Sequence, residues 1–200
     1  TRANATVGPR LAVVGDSVQV QTRRAALADP VLHWDFATHC GENLSSVVDA
    51  GRLQDAVGTH PDALVVALGT NDLSYFWQVT PDRLPAARAA LGRVLDASSS
   101  VRCRVLVNLP RTAPAWVGAA DRPMWRWLTD QMNDAFAEAA RTHPGVVVAD
   151  WAAMVDARPD LLQEGQHVTH TGINARLNLT IATARRCWAP VARRGCGSTW

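Results

Sequence analysis

Three short polar stretches carry the side chains with which this chain could do chemistry: Gly15-Asp16-Ser17, Gly69-Thr70-Asn71-Asp72 and Glu164-Gly165-Gln166-His167. A hydroxyl is a weak nucleophile until an imidazole takes its proton, and the imidazole works best when an acid fixes its tautomer and stabilises the imidazolium. The oxyanion that develops then needs donors already in place, which an amide side chain can supply. Serine, histidine, acid and amide together are the requirements of acyl transfer. Each stretch alone is ordinary. Gly-Asp-Ser turns cap helices in many proteins, polar turns end many strands, and a histidine beside an acid is common in surface loops.

Some alternatives narrow on the residues themselves. His170 lies three positions beyond His167 and competes for the role of base, but the carboxylate of Glu164 three residues before His167 favours the earlier histidine. Glu-x-x-His also has the form of half a metal motif. The second histidine and carboxylate of a mononuclear site are missing from that spacing, so neither a metal nor another cofactor is expected. Asp16 and Asp72 are read as turn or cap residues with no catalytic role.

The elements that must position these groups can be read from hydrophobic patterning. Five short Val- and Leu-rich runs, Arg10 to Val14, Val31 to Ala37, Ala63 to Leu68, Arg104 to Asn108 and Gly145 to Ala149, are bounded by turn residues and predict buried strands. Helical spacing lies between them, over Ser17 to Ala28, Leu44 to Val57, Pro81 to Ser98 and Arg122 to Thr142, and again over Thr171 to Cys187. Regular alternation of strand and helix predicts an α/β fold: a five-stranded parallel sheet covered on both faces, in a three-layer α/β/α sandwich. Ligands of such sheets sit at the carboxyl ends of the strands. Ser17 follows the first strand and Asn71 the third, so both fall at that edge.

Composition bounds the remaining classes. The 200 residues form one domain, with residues 1–8 as an N-terminal extension and residues 189–200 as a C-terminal tail. With 48% apolar and 19% charged residues the chain is neither disordered nor, lacking any apolar run near roughly 18 residues, membrane-spanning. Its 20 basic residues are all arginines, scattered against 18 acidic ones, and this excludes an electrostatic footprint for nucleic acid. A monomer is expected. The sequence starts at Thr1 without an initiator Met and carries four cysteines, which together favour a removed signal peptide and a secreted or cell-envelope location. Four cysteines allow three pairings, of which Cys187 with Cys196, close in sequence near a Gly-containing end, is favoured.

In order and spacing the polar stretches resemble the four blocks of the SGNH, or GDSL-type, hydrolases, whose fold is flavodoxin-like. The resemblance runs from Gly15 to Gly172. It implies that Ser17 is the nucleophile and that its own N–H is an oxyanion donor. It also implies that Gly41, in Thr38-His39-Cys40-Gly41-Glu42-Asn43, gives a second backbone donor and that the Asn71 side chain completes the hole. His167 followed by Gly172 matches the last block, with Glu164 where the family usually has Asp. Trp77 and Trp116 follow strand ends and are candidates to line the substrate pocket, although most of the eight tryptophans must serve packing. The function implied is hydrolysis of a carboxylic ester of a small molecule, lipid or glycan through an acyl-enzyme. An O-acyltransferase or deacetylase acting on a sugar hydroxyl keeps the same fold, and a non-catalytic carbohydrate- or lipid-binding domain is a third reading, disfavoured by an intact Ser17 and His167. The α/β-hydrolase fold is excluded because its elbow needs G-x-S-x-G and this chain has Gly15-Asp16-Ser17-Val18-Gln19.

Overall fold

A computed structural model describes residues 8–75 and 78–188 of the chain. Trp77 and Cys196 lie outside the described residues, as do residues 1–7 and 189–200.

The elements in chain order are β1 (Arg10–Gly15), α1 (Ser17–Ala26), β2 (His33–Thr38), α2 (Leu44–Asp49), α3 (Arg52–Gly58), β3 (Ala63–Ala67), β4 (Ser74–Tyr75), β5 (Gln78–Val79), α4 (Arg83–Ala97), β6 (Arg104–Val107), α5 (Arg122–Thr142), β7 (Val146–Ala149), α6 (Trp151–Ala157), β8 (Leu162–Gln163), β9 (His167–Val168) and α7 (His170–Trp188). The five predicted strands form one parallel sheet in the order β2-β1-β3-β6-β7. β4 with β5 and β8 with β9 are two-residue antiparallel hairpins outside it.

The alternation of side chains along a strand sorts the core into two layers. Ala12 and Val14 of β1 join a cluster with Leu44, Leu53, Leu91 and Phe136, so α2, α3, α4 and α5 cover that face. Leu11 and Val13 point the other way, into a cluster with Val18, Trp151, Leu177 and Ala184, which brings α1, α6 and α7 to the second face. Within α5, Trp125, Leu128, Met132 and Phe136 recur every three or four residues and are all buried, which makes one stripe against the sheet. The sheet is covered on both sides, as runs of Val and Leu without polar alternation require.

The predicted helix over Leu44 to Val57 is two helices. Gly51, at φ +76°, ends α2 and starts α3, a left-handed step that a β-carbon would strain. Nor did periodicity reveal α6, only seven residues long and capped by Asp150, whose side chain accepts the Ala153 N–H.

The favoured Cys187–Cys196 pairing is corrected: Cys187 is bonded to Cys103, 84 residues away, with Cα atoms 5.6 Å apart. Sequence proximity misled because α7 packs back over the sheet and brings its last turn beside the residue that leads into β6. Cys40 is free and exposed. Closing so long a loop in the unfolded chain removes on the order of 4 kcal/mol of its entropy. Reduction, or Cys187→Ser, should therefore lower the melting temperature by roughly 5 to 15 °C. An unchanged melting curve under reductant contradicts a Cys103–Cys187 bond.

Candidate active site

β1 is flanked by β2 on one side and β3 on the other, so the chain leaves β1 toward one edge and returns on the opposite side. Loops after three neighbouring strands diverge there, and that divergence opens a crevice at their carboxyl ends.

The first of these loops is the tightest. Gly15 ends β1 so close to α1 that an added Cβ would lie 2.5 Å from the Gln19 Cβ. Asp16 follows in extended conformation, and its Oδ1 accepts the Val18 N–H at 3.0 Å, the cap that starts α1. Ser17 is thereby the first residue of α1, half-buried at the strand end.

The β8–β9 hairpin returns His167 to the same place. Ser17 Oγ and His167 Nε2 lie 3.2 Å apart across 150 residues of sequence. For the hydroxyl to donate, Nε2 must be bare, which puts the ring proton of a neutral imidazole on Nδ1. Nδ1 faces Glu164 Oε2 at 3.5 Å, a contact longer than an ordinary hydrogen bond, and the Glu164 side chain is 67% exposed, so water screens it. Glu164 itself is at φ +57° and Gly165 at +72°, which folds the turn back on itself and carries the longer acid toward the ring. His170, first residue of α7, is exposed.

Neighbours hold this turn, and of them sequence reasoning singled out only Trp116, as a candidate to line the substrate pocket. A Cβ on Gly165 would meet the Ala113 carbonyl oxygen at 2.3 Å, so the turn lies directly on that strand of loop. The Ala115 N–H donates to the Glu164 carbonyl at 2.7 Å, and Trp116 Nε1 donates to Gln166 Oε1 at 3.1 Å. Trp116 also stacks edge-on against Trp125, which makes it a brace for the acid-histidine turn. From the other side the Val168 N–H donates to Gln21 Oε1 at 3.1 Å, tying β9 to α1.

The loops after β2 and β3 are coupled to each other. The Asn71 Nδ2 group donates one hydrogen to the Glu42 carbonyl at 2.8 Å, and its second has no partner among the described residues. Asp72 accepts the Leu44 N–H with both oxygens, each at 3.1 Å. Immediately before these anchors lies Gly41, exposed and at φ +76°. Glu42 is buried, and although burial pushes its carboxyl up, hydrogen bonds from Arg52 and Ser46 more than offset this and hold it below the usual range. Burial pushes the Asp72 carboxyl up to about 7, against the Leu44 N–H and the Arg83 charge. Asp72 is thus read as more than a turn residue: it fixes the start of α2 to the turn that carries Asn71. Its bond to Leu44 could not be foreseen, because residues 28 positions apart give no local signal.

Ser17, His167, Glu164, Gly41 and Asn71 therefore fall at one edge of one sheet, with Trp116 bracing them. Trp77 cannot be placed among them. Among the described residues no group of three or more His, Cys, Asp or Glu side chains could hold a metal ion, and no helix is long and apolar enough to cross a membrane.

Solved structures share this architecture at low identity. A lipase/acylhydrolase from Enterococcus faecalis superposes with TM-score 0.65 and 17% identity over 87% of this chain and 94% of that one. The C-terminal catalytic domain of peptidoglycan O-acetyltransferase A from Streptococcus pneumoniae gives TM-score 0.65 and 16% identity over 90% and 94%. The acetylxylan esterase Axe2 from Geobacillus stearothermophilus gives 0.64 and 15% over 92% and 99%. No curated protein matches by sequence. The model of the GDSL-like lipase/acylhydrolase family matches residues 6–173, and the chain belongs to that family.

Proposed function

We propose that the protein cleaves a carboxylic ester by acyl transfer to Ser17, with His167 as general base and acid. The observation that carries this reading is the 3.2 Å contact between Ser17 Oγ and His167 Nε2 at the carboxyl edge of the sheet. In the first half-reaction the Ser17 oxygen attacks the ester carbonyl as its proton passes to Nε2. The tetrahedral oxyanion collapses, the C–O bond to the alcohol breaks, and the imidazolium returns its proton to the departing alkoxide. Water then takes the place of Ser17 as nucleophile, gives its proton to Nε2, and releases the acid and the free serine.

Three donors serve the oxyanion: the Ser17 N–H, the Gly41 N–H and the second hydrogen of Asn71 Nδ2. The bond to the Glu42 carbonyl holds that amide in one orientation before substrate arrives, which is what makes such a donor effective. Glu164 orients His167, an influence weakened by the exposure of its carboxylate. The Cys103–Cys187 disulfide supports an oxidising compartment, at the cell envelope or outside it. The shared fold is used by an acetylxylan esterase and by a peptidoglycan O-acetyltransferase domain, so the acceptor is tested separately: a polyol added to the assay yields an acylated polyol if the enzyme transfers, and free acid alone if it hydrolyses.

With a short-chain chromogenic ester, Ser17→Ala and His167→Ala should each reduce kcat by at least about 10²-fold without loss of the folded state, whereas His170→Ala stays within a few fold of the parent, roughly. The reverse ranking of the two histidines would assign the base to His170. Asn71→Ala should lower kcat by roughly 10² to 10³ with KM little changed, and an effect confined to KM removes Asn71 from the oxyanion hole. For Glu164→Gln the expected loss in kcat is about tenfold, smaller than for a buried triad acid because water already screens the charge. Activity within about twofold of the parent in both Glu164→Gln and Glu164→Ala excludes Glu164 from the reaction.

A further inference from the structure

Beside the residues that adjoin Ser17 and His167, the described residues line a small cavity of about 20 Å³. That is room for about one water, which stays only where polar groups hold it. Its walls include Asp16, which precedes the serine, Gln166, which precedes the histidine, and Arg176 from α7. Asp16 is 2% exposed and Arg176 6%. Arg176 lies with its guanidinium carbon 5.2 Å from the centroid of the Trp151 ring, and its Nε is buried without a hydrogen-bond acceptor among the described residues. A guanidinium carries five donors, and leaving them unmet in an interior is costly unless an anion or water answers them.

We propose that Arg176 is a positioning residue for this site, which with one water in the cavity pairs the Asp16 carboxylate and keeps it ionised behind Ser17 and His167. The proposal rests on the reading of those two residues as nucleophile and base. The charged and titratable groups that face Asp16 are Arg176 from α7, His167 from β9 and Asp72 from the turn after β3. Burial pushes the Asp16 carboxyl up to about 6, and the Arg176 charge is the largest influence opposing it. Burial likewise pushes Arg176 down to about 10, with Asp16 resisting, so the guanidinium remains a cation at neutral pH. Without Arg176 the Asp16 carboxyl rises further and takes up a proton near neutrality. The neutral acid is a weaker acceptor for the Val18 N–H that sets Ser17 at the head of α1, and it no longer offers the imidazolium a negative neighbour.

The test follows the Asp16 carboxyl by ¹³C NMR titration in a Ser17→Ala background, so that its readout does not depend on turnover. Arg176→Met should raise the Asp16 midpoint by about two pH units, and Arg176→Lys should restore most of it. In the otherwise native enzyme, Arg176→Met should lower kcat at pH 7 by roughly tenfold with KM within about twofold, the loss expected when Asp16 is largely protonated. Asp16→Asn combined with Arg176→Met should be no less stable than Arg176→Met alone, since removing one partner of a buried pair strands the other. An Asp16 midpoint unmoved by Arg176→Met, or strictly additive stability effects, overturns the proposal. Should Arg176→Met fail to fold, recovery of folding in the double variant supports the pairing and failure to recover overturns it. A native enzyme without esterase activity would remove the ester reading and leave the titration to decide the Asp16–Arg176 pair.

Discussion

The contact between Ser17 and His167 joins groups 150 residues apart, and nothing local to either residue can maintain it. It depends on the parallel sheet. β1 fixes where the serine emerges, α1 fixes which way it points, and the Gln21 side chain on α1 receives the Val168 N–H of the strand that carries His167. The loop at 113–116 presses on the acid-histidine turn from the opposite side through a carbonyl that leaves no space for a β-carbon at Gly165. A misplacement of one ångström would separate hydroxyl from imidazole, and the bracing on both flanks is what a site built on loops requires.

The arrangement carries buried charge that a purely structural core would avoid. Asp16 and Asp72 are both nearly inaccessible, and burial raises both carboxyl groups well above the ordinary range. A carboxyl raised in the folded state binds a proton that the unfolded chain has already released. Between the unfolded value near 4 and the folded values of about 6 and 7, these two groups therefore make stability fall as pH rises. Their use explains the cost: Asp16 sets the head of α1, and Asp72 ties the loop that bears Gly41 to the turn that bears Asn71. Glu164 also occupies the left-handed region without being glycine, as does His60 outside the site.

How much of this could be read from the sequence follows from range. β1, β3, β6 and β7 are nearly continuous apolar runs, so their positions were legible to within a few residues, and α5 was legible because an apolar stripe recurs from Trp125 to Ala139 within its twenty-one residues. α6 and the two hairpins are too short to show a period, and the break at Gly51 is a single conformational step inside an otherwise helical pattern. At the site, residue types near strand ends were visible, since Gly15-Asp16-Ser17 and Gly69-Thr70-Asn71-Asp72 adjoin the runs that become β1 and β3. The partners that hold them were not. The Asn71 bond to Glu42, the Asp72 bond to Leu44, the Trp116 bond to Gln166 and the disulfide from Cys103 to Cys187 all join segments that only the folded topology brings together. Proximity in sequence, the one cue available for the cysteines, pointed to the wrong partner.

The central claim is that Ser17 is the group that becomes acylated. A fluorophosphonate reacts covalently with a serine only where a neighbouring base activates it and an oxyanion site accepts the phosphoryl oxygen. After incubation and digestion at arginine, mass spectrometry should find the phosphonyl group on peptide 11–23 at Ser17, and prior treatment with an ester substrate in excess should slow its appearance. A stoichiometric adduct on a different residue, or a native protein that forms none, contradicts the account.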